Sequence, residues 1–167
     1  MSSLGAGSDF TAFFHARQKS LVRTAYLLSG DAAAAEDIAQ NALAKLYLAW
    51  DRLGSVDHPD AYVRRVLVNE ANSWHRKPWR RREMTVAELP DSMVEPIDTT
   101  SAVWQWVSTL PTKQRAVIVL RYYEGLSDSE IGTILDIGVS TVSSQASRAL
   151  ASLRTRIPSE ITDGDLS

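Results

Sequence analysis

The sequence predicts an all-α protein of two small helical domains joined by an acidic, flexible linker. Three observations carry that prediction. Apolar residues recur every three or four positions over long stretches, the period of a helix with one buried face. Alternation of β-branched with polar residues is nearly absent, and no Asn-Gly or Asp-Gly hairpin joins such runs. Between two periodic halves, Thr85 to Thr100 holds Pro90, Pro96, four acids and little apolar periodicity.

A first helix is expected from about Asp9 to Leu28, stopped at Ser29-Gly30-Asp31. A second runs from about Ala32 to Leu53. Its apolar positions Ile38, Ala42, Leu46, Ala49 and Leu43, Tyr47, Trp50 make one stripe, expected to be buried. Gly54 to Pro59 is a short loop. The third helix begins near Asp60, carries Val63, Val66, Leu67, Ala71 and Trp74 on one side, and breaks at Lys77-Pro78. These three should form an antiparallel bundle, with Trp74 in its core. Beyond the linker, Ser101 to Thr109, Lys113 to Tyr123, Asp128 to Leu135 and Thr141 to Ile157 are helical stretches too short to persist alone, so they should pack together.

Composition narrows the function. The chain has 167 residues and 44% apolar content, enough for one modest core or two small ones. Cysteine is absent, which excludes disulfides, thiolate metal sites and cysteine nucleophiles. His15, His58 and His75 are scattered, and no Gly-rich phosphate loop, His-Glu-x-x-His helix or acid-base cluster is present, so neither a metal, a cofactor nor catalysis is expected. No apolar run approaches bilayer length and Met1 to Asp9 lacks signal-peptide character; a cytoplasmic protein without membrane insertion is expected. The net charge of −2 hides segregation: Tyr62 to Glu83 carries seven bases against two acids, Met84 to Pro111 four acids and no base, and the tail after Pro158 three more acids.

Ser127-Asp128-Ser129-Glu130 fits a capping box that opens a helix burying Ile131, Ile134 and Leu135. That helix should end at Asp136-Ile137-Gly138-Val139, with Gly138 supplying the left-handed conformation of a tight turn and Ser140 capping the next helix. The next helix buries Val142, Ala146, Ala149, Leu150 and Leu153 and leaves Thr141, Ser144, Gln145 and Arg148 on the opposite face. A recognition helix presents its readers to the major groove in this way. An ordinary helical hairpin with a solvated polar face fits the same pattern.

The residues around this motif resemble region 4 of extracytoplasmic-function (ECF) sigma factors of the sigma-70 family: Leu110-Pro111, Arg115, Leu120-Arg121-Tyr122-Tyr123-Glu124-Gly125-Leu126-Ser127, Glu130-Ile131-Gly132, Val139-Ser140-Thr141-Val142 and Ser147-Arg148-Ala149-Leu150. Upstream, Ala35-Glu36-Asp37-Ile38-Ala39-Gln40-Asn41-Ala42 is similar to the family's region 2 signature, and Tyr62-Val63-Arg64-Arg65-Val66-Leu67-Val68-Asn69 to its −10-reading segment. The likeness covers nearly the whole chain and is strongest to small actinobacterial members. It implies region 2 at 8–83, an acidic linker at 84–100, region 4 at 101–157 and an acidic tail at 158–167.

It also implies a function: an alternative sigma factor that binds core RNA polymerase, reads duplex −35 DNA and melts DNA at the −10 element. Polymerase would dock on Asp37, Gln40, Asn41 and Lys45, with Asn41 standing where the family commonly has glutamate. Arg65, Asn69, Asn72 and Arg76 fall on one face of the third helix, suited to single-stranded DNA. The loop Leu53 to His58 and Asn69 would hold an extruded base, with Arg76, Lys77, Arg80, Arg81 and Arg82 on backbone phosphates. At the −35 element Thr141, Ser143, Ser144, Gln145 and Arg148 would face the bases, and Lys113, Arg115 and Arg121 the flanking phosphates. Many relatives carry Lys or Arg where Ser143 and Gln145 stand, so a less cationic contact and a shallow salt dependence are expected. The linker would either thread a polymerase channel or act as a solubilising tether. An anti-sigma protein is an expected partner, and a stand-alone helix-turn-helix regulator is the alternative reading.

Overall fold

The computed structural model describes residues 3–53, 59–77 and 102–156, and all regular structure among them is helical. Helix α1 (Ser3–Ser29) begins earlier than the sequence suggested, because no proline before Asp9 removes an amide from the ladder. It stops at Gly30, whose φ of 78° lets its amide donate back to the Tyr26 carbonyl at 2.7 Å. Asp31 then caps α2 (Ala32–Leu53) by accepting from the Ala34 amide at 2.8 Å. Helix α3 (Pro59–Arg76) starts on a proline, the residue that loses least at that position.

Leu21 and Ala25 of α1, Ile38, Ala42 and Leu46 of α2, and Val63, Leu67, Ala71 and Trp74 of α3 are buried together as the first bundle's core. Trp74 is therefore a packing residue, as its place in the stripe implied. Tyr47 is a correction: it is 59% exposed, because the buried arc of α2 is carried by alanines and Leu46 and the helix turns Tyr47 away.

The second half comprises α4 (Ala102–Val107), α5 (Thr112–Ile118), a wide π turn (Val119–Tyr123), α6 (Asp128–Leu135) and α7 (Val139–Arg156). Helix α4 is shorter than expected: the hydroxyls of Ser108 and Thr109 donate to the carbonyls of Gln105 and Trp106 and close its end. The capping box before α6 is present in both directions, Glu130 amide to Ser127 Oγ at 3.1 Å and Ser127 amide to Glu130 Oε1 at 3.0 Å. Two details of the following turn depart from expectation. Asp136, not Gly138, takes the left-handed conformation (φ 56°), a role that a short polar side chain tolerates. Helix α7 opens at Val139, so Ser140 lies inside it instead of capping it, and the Val142 amide donates to the Gly138 carbonyl at 3.0 Å. Val117, Ile118, Leu120, Ile131, Val142, Ala146 and Leu153 form the core of this half.

The two halves are not strung apart. Helices α1 and α3 pack against α5, the π turn and α6, and the buried residues of both bundles form one continuous cluster.

Candidate nucleic-acid and polymerase interface

Helix α3 separates two jobs by face. Its buried stripe leaves Arg65, Asn69 and Arg76 exposed and Asn72 half-buried on the other side, so amides and cations share one accessible surface. Lys77 follows at the helix end, also exposed. Arg65 is not idle: its guanidinium donates to the Thr133 carbonyl on α6 at 3.0 Å. The loop 54–58 and Arg80, Arg81 and Arg82, assigned from sequence to the extruded base and to phosphates, lie outside the described residues.

On α7, Thr141, Ser143, Ser144 and Arg148 are exposed and Gln145 is half-buried, all within the N-terminal part of the helix. Ser144 is partly committed, its hydroxyl donating to the Ser140 carbonyl at 3.0 Å. The turn before α7 is tight at Gly132: a Cβ there would stand 2.8 Å from the Ile137 carbonyl oxygen. The closeness of that approach fixes the angle at which α7 leaves α6.

The flanking cations divide. Lys113 is exposed on α5. Arg121 is half-buried and ion-paired with Asp128, Nε to Oδ1 at 3.3 Å. Arg115 is a correction: only 7% of it is exposed, and its guanidinium donates to the carbonyls of Leu28, Ser108 and Leu110 and to His75 Nε2 at 2.7 Å. Burial lowers its pKa to about 10, which still leaves it charged at neutral pH. An arginine enclosed in this way is a structural bolt: its terminal nitrogens are committed to protein acceptors, and Nε, the donor without a partner, is buried away from any phosphate.

On α2, Asp37, Gln40, Asn41 and Lys45 are exposed, as their spacing implied. Lys45 is ion-paired with Glu70 of α3. Sequence reasoning missed their neighbours. Gln40 borders an open groove in which Phe10, Phe14 and Leu43 form the floor and Tyr47 and Leu48 the wall. Leu48 is 81% exposed, and Phe10 meets Tyr47 edge-on at 5.1 Å. Exposed apolar side chains beside a polar rim give α2 a mixed surface suited to a protein contact. The signal was available, since Leu48 is an apolar residue standing on the polar face that carries Asn41, Lys45 and Arg52.

The chain matches the family descriptions "Sigma-70 region 2" over residues 13–81 and "Sigma-70, region 4" over residues 106–155. It is 35% identical to the RNA polymerase sigma-E factor of Streptomyces avermitilis over 164 residues, covering 93% of this chain and 88% of that protein. The chain belongs to the sigma-70 family. Within that family it is an ECF-type sigma factor, also 30% identical to the ECF RNA polymerase sigma factor SigW of Bacillus subtilis over 79% of this chain and 80% of that one. The sigma factor RpoE of Bartonella quintana, solved with the anti-sigma factor NepR, superimposes with a TM-score of 0.71 at 25% identity over 88% of this chain and 95% of that one. The groove on α2 and the faces of α3 and α7 thus lie on a sigma-factor fold. No described helix of this sigma factor is long and apolar enough to cross a membrane.

Proposed function

We propose that this alternative sigma factor works in the cytoplasm as a non-catalytic initiation factor with three working surfaces. Core RNA polymerase docks on α2 through Asp37, Gln40 and Asn41 and the neighbouring groove of Tyr47 and Leu48. Helix α3 reads the −10 element: Asn69 and Asn72 hydrogen-bond an extruded base while Arg65, Arg76, Lys77 and Arg80 to Arg82 pair with phosphates, offsetting an unstacking cost of about a few kcal/mol. Helix α7 reads the −35 duplex with Thr141, Ser143, Ser144, Gln145 and Arg148 on base edges and Lys113 and Arg121 beside the phosphates. Region 2 spans 8–83 and region 4 spans 101–157, with the acidic stretch 84–100 as their tether. The observation that carries this reading is the accessible amide-and-cation face of α3 opposite a buried stripe that is apolar except for His75. An anti-sigma protein is proposed as a further partner, on the likeness to a sigma factor solved with one.

The test mixes purified protein, core polymerase and a pooled promoter library in single-round transcription, with 5′ ends sequenced. Transcripts that require the protein and share elements near −35 and −10 support the reading. Silent polymerase with a duplex shift by the protein alone overturns it in favour of a stand-alone helix-turn-helix regulator.

A further inference from the structure

We propose that Val139 is a specificity-determining residue of the −35 contact and selects thymine through its C5-methyl group; this rests on α7 being the helix that enters the duplex. Among the described residues three large apolar side chains stand exposed, Tyr47, Leu48 and Val139. The first two belong to the groove on α2. Val139 stands elsewhere, as the first residue of α7, and is 52% exposed. Packing does not need it: Val142, Ala146, Ala149 and Leu153 seat the helix, each 2% exposed or less. Its place is fixed by the turn before it. There Asp136 takes the left-handed conformation, the Ile137 amide donates to the Gly132 carbonyl at 3.0 Å, and the Val142 amide donates to the Gly138 carbonyl at 3.0 Å. A recognition helix meets base edges with its N-terminal residues, so Val139 stands where readout begins.

The chemistry around Val139 narrows what it can read. Ser140, Thr141, Ser143 and Ser144 are exposed beside it, and no Lys or Arg occurs between Asp136 and Ser147. The forked arginine contact that picks guanine is therefore missing from this end of the helix. The Ser144 hydroxyl is already donated to the Ser140 carbonyl. In the major groove the thymine methyl is the apolar group that a base edge offers. The branched methyls of a valine laid against it exclude water from both surfaces, a preference of roughly fourfold for one methyl taken out of water. Valine also acts against the wrong bases. Covering a purine N7 or the cytosine amino group strips water from a polar atom and returns no hydrogen bond. Valine thus selects by exclusion where arginine selects by pairing.

The test uses full-length protein with core polymerase on the duplex that the pooled-library transcription selects. Each thymine of the −35 element, on either strand, is replaced singly by uracil, which deletes the methyl and keeps every hydrogen-bonding group. Wild type should lose affinity roughly fourfold at one position. Val139→Ser should lose a similar factor on the thymine duplex and show no further loss with uracil at that position, so the two changes are non-additive in a double-mutant cycle. A general weakening of the helix would leave the uracil effect in place. Val139→Ala repeats the cycle should Val139→Ser fail to fold by circular dichroism. Wild type that tolerates uracil at every position, or a folded variant that keeps the full uracil effect, overturns the role of Val139. Should polymerase stay silent, the same scan is run on the duplex that the chain shifts alone. Uracil sensitivity coupled to Val139 then keeps the thymine contact and sinks the sigma role, whereas promoter-specific initiation indifferent to uracil does the reverse. A chain that selects no duplex either way overturns both.

Discussion

At the scale of single residues, α6 and the turns at its two ends concentrate the most in the fewest atoms. Ser127 and Glu130 exchange hydrogen bonds, and those bonds hold the Glu130 carboxyl below its usual range. A depressed carboxyl stabilises the fold fully above its ordinary pKa and loses that contribution as pH falls through the lowered one. Ser127→Ala should cost about 1 kcal/mol in denaturant unfolding at neutral pH, the loss of an N-cap, and should flatten the acid limb of the stability profile. Gly132→Ala should cost more, about 1–3 kcal/mol, since the added Cβ meets a backbone oxygen that cannot rotate away. The sequence revealed the capping box because both partners lie within four residues. It misplaced the left-handed residue, since Gly138 and Asp136 are both chemically suited and only the path into α7 chooses between them.

Among the elements, the bounds of α2, α3 and α6 were legible because local stop signals and periodicity agreed there: Gly30 before α2, Pro78 after α3, the capping box before α6. The start of α7 was not, because Ser140 mimics a cap that the preceding Gly138 carbonyl makes unnecessary. That the polar faces of α3 and α7 are accessible was legible, since burial of one stripe exposes the other. Tyr47 did not, because helical spacing marks a face without saying which part of it a neighbour covers. On α2, Leu48→Ser should leave folding stability nearly unchanged, within about 0.5 kcal/mol, the side chain being almost fully exposed, yet weaken core polymerase capture in a pull-down. On α3, Asn69→Ala should slow open-complex formation measured by permanganate reactivity of the −10 bases. Unchanged reactivity would remove Asn69 from the reading face. On α7, Gln145→Ala should flatten base preference at one −35 position by about 1–3 kcal/mol in competition binding.

For the molecule as a whole, the domain count was visible in the chain and the docking was not. Glu124 meets Thr24 across a separation of 100 residues and Arg115 meets Leu28 across 87, and an isolated charge carries no mark of so distant a partner. Arg115 was accordingly placed on DNA, where most arginines of such a segment would serve. The continuous core predicts one calorimetric unfolding transition for the free protein, whereas Glu124→Ala should separate it into two. The contact between the halves also bears on non-specific DNA binding. A chromosome offers on the order of a million or more non-specific sites, and a free factor that grips DNA would be diluted among them. An Arg65 guanidinium held on the Thr133 carbonyl is one cation fewer for that indiscriminate grip.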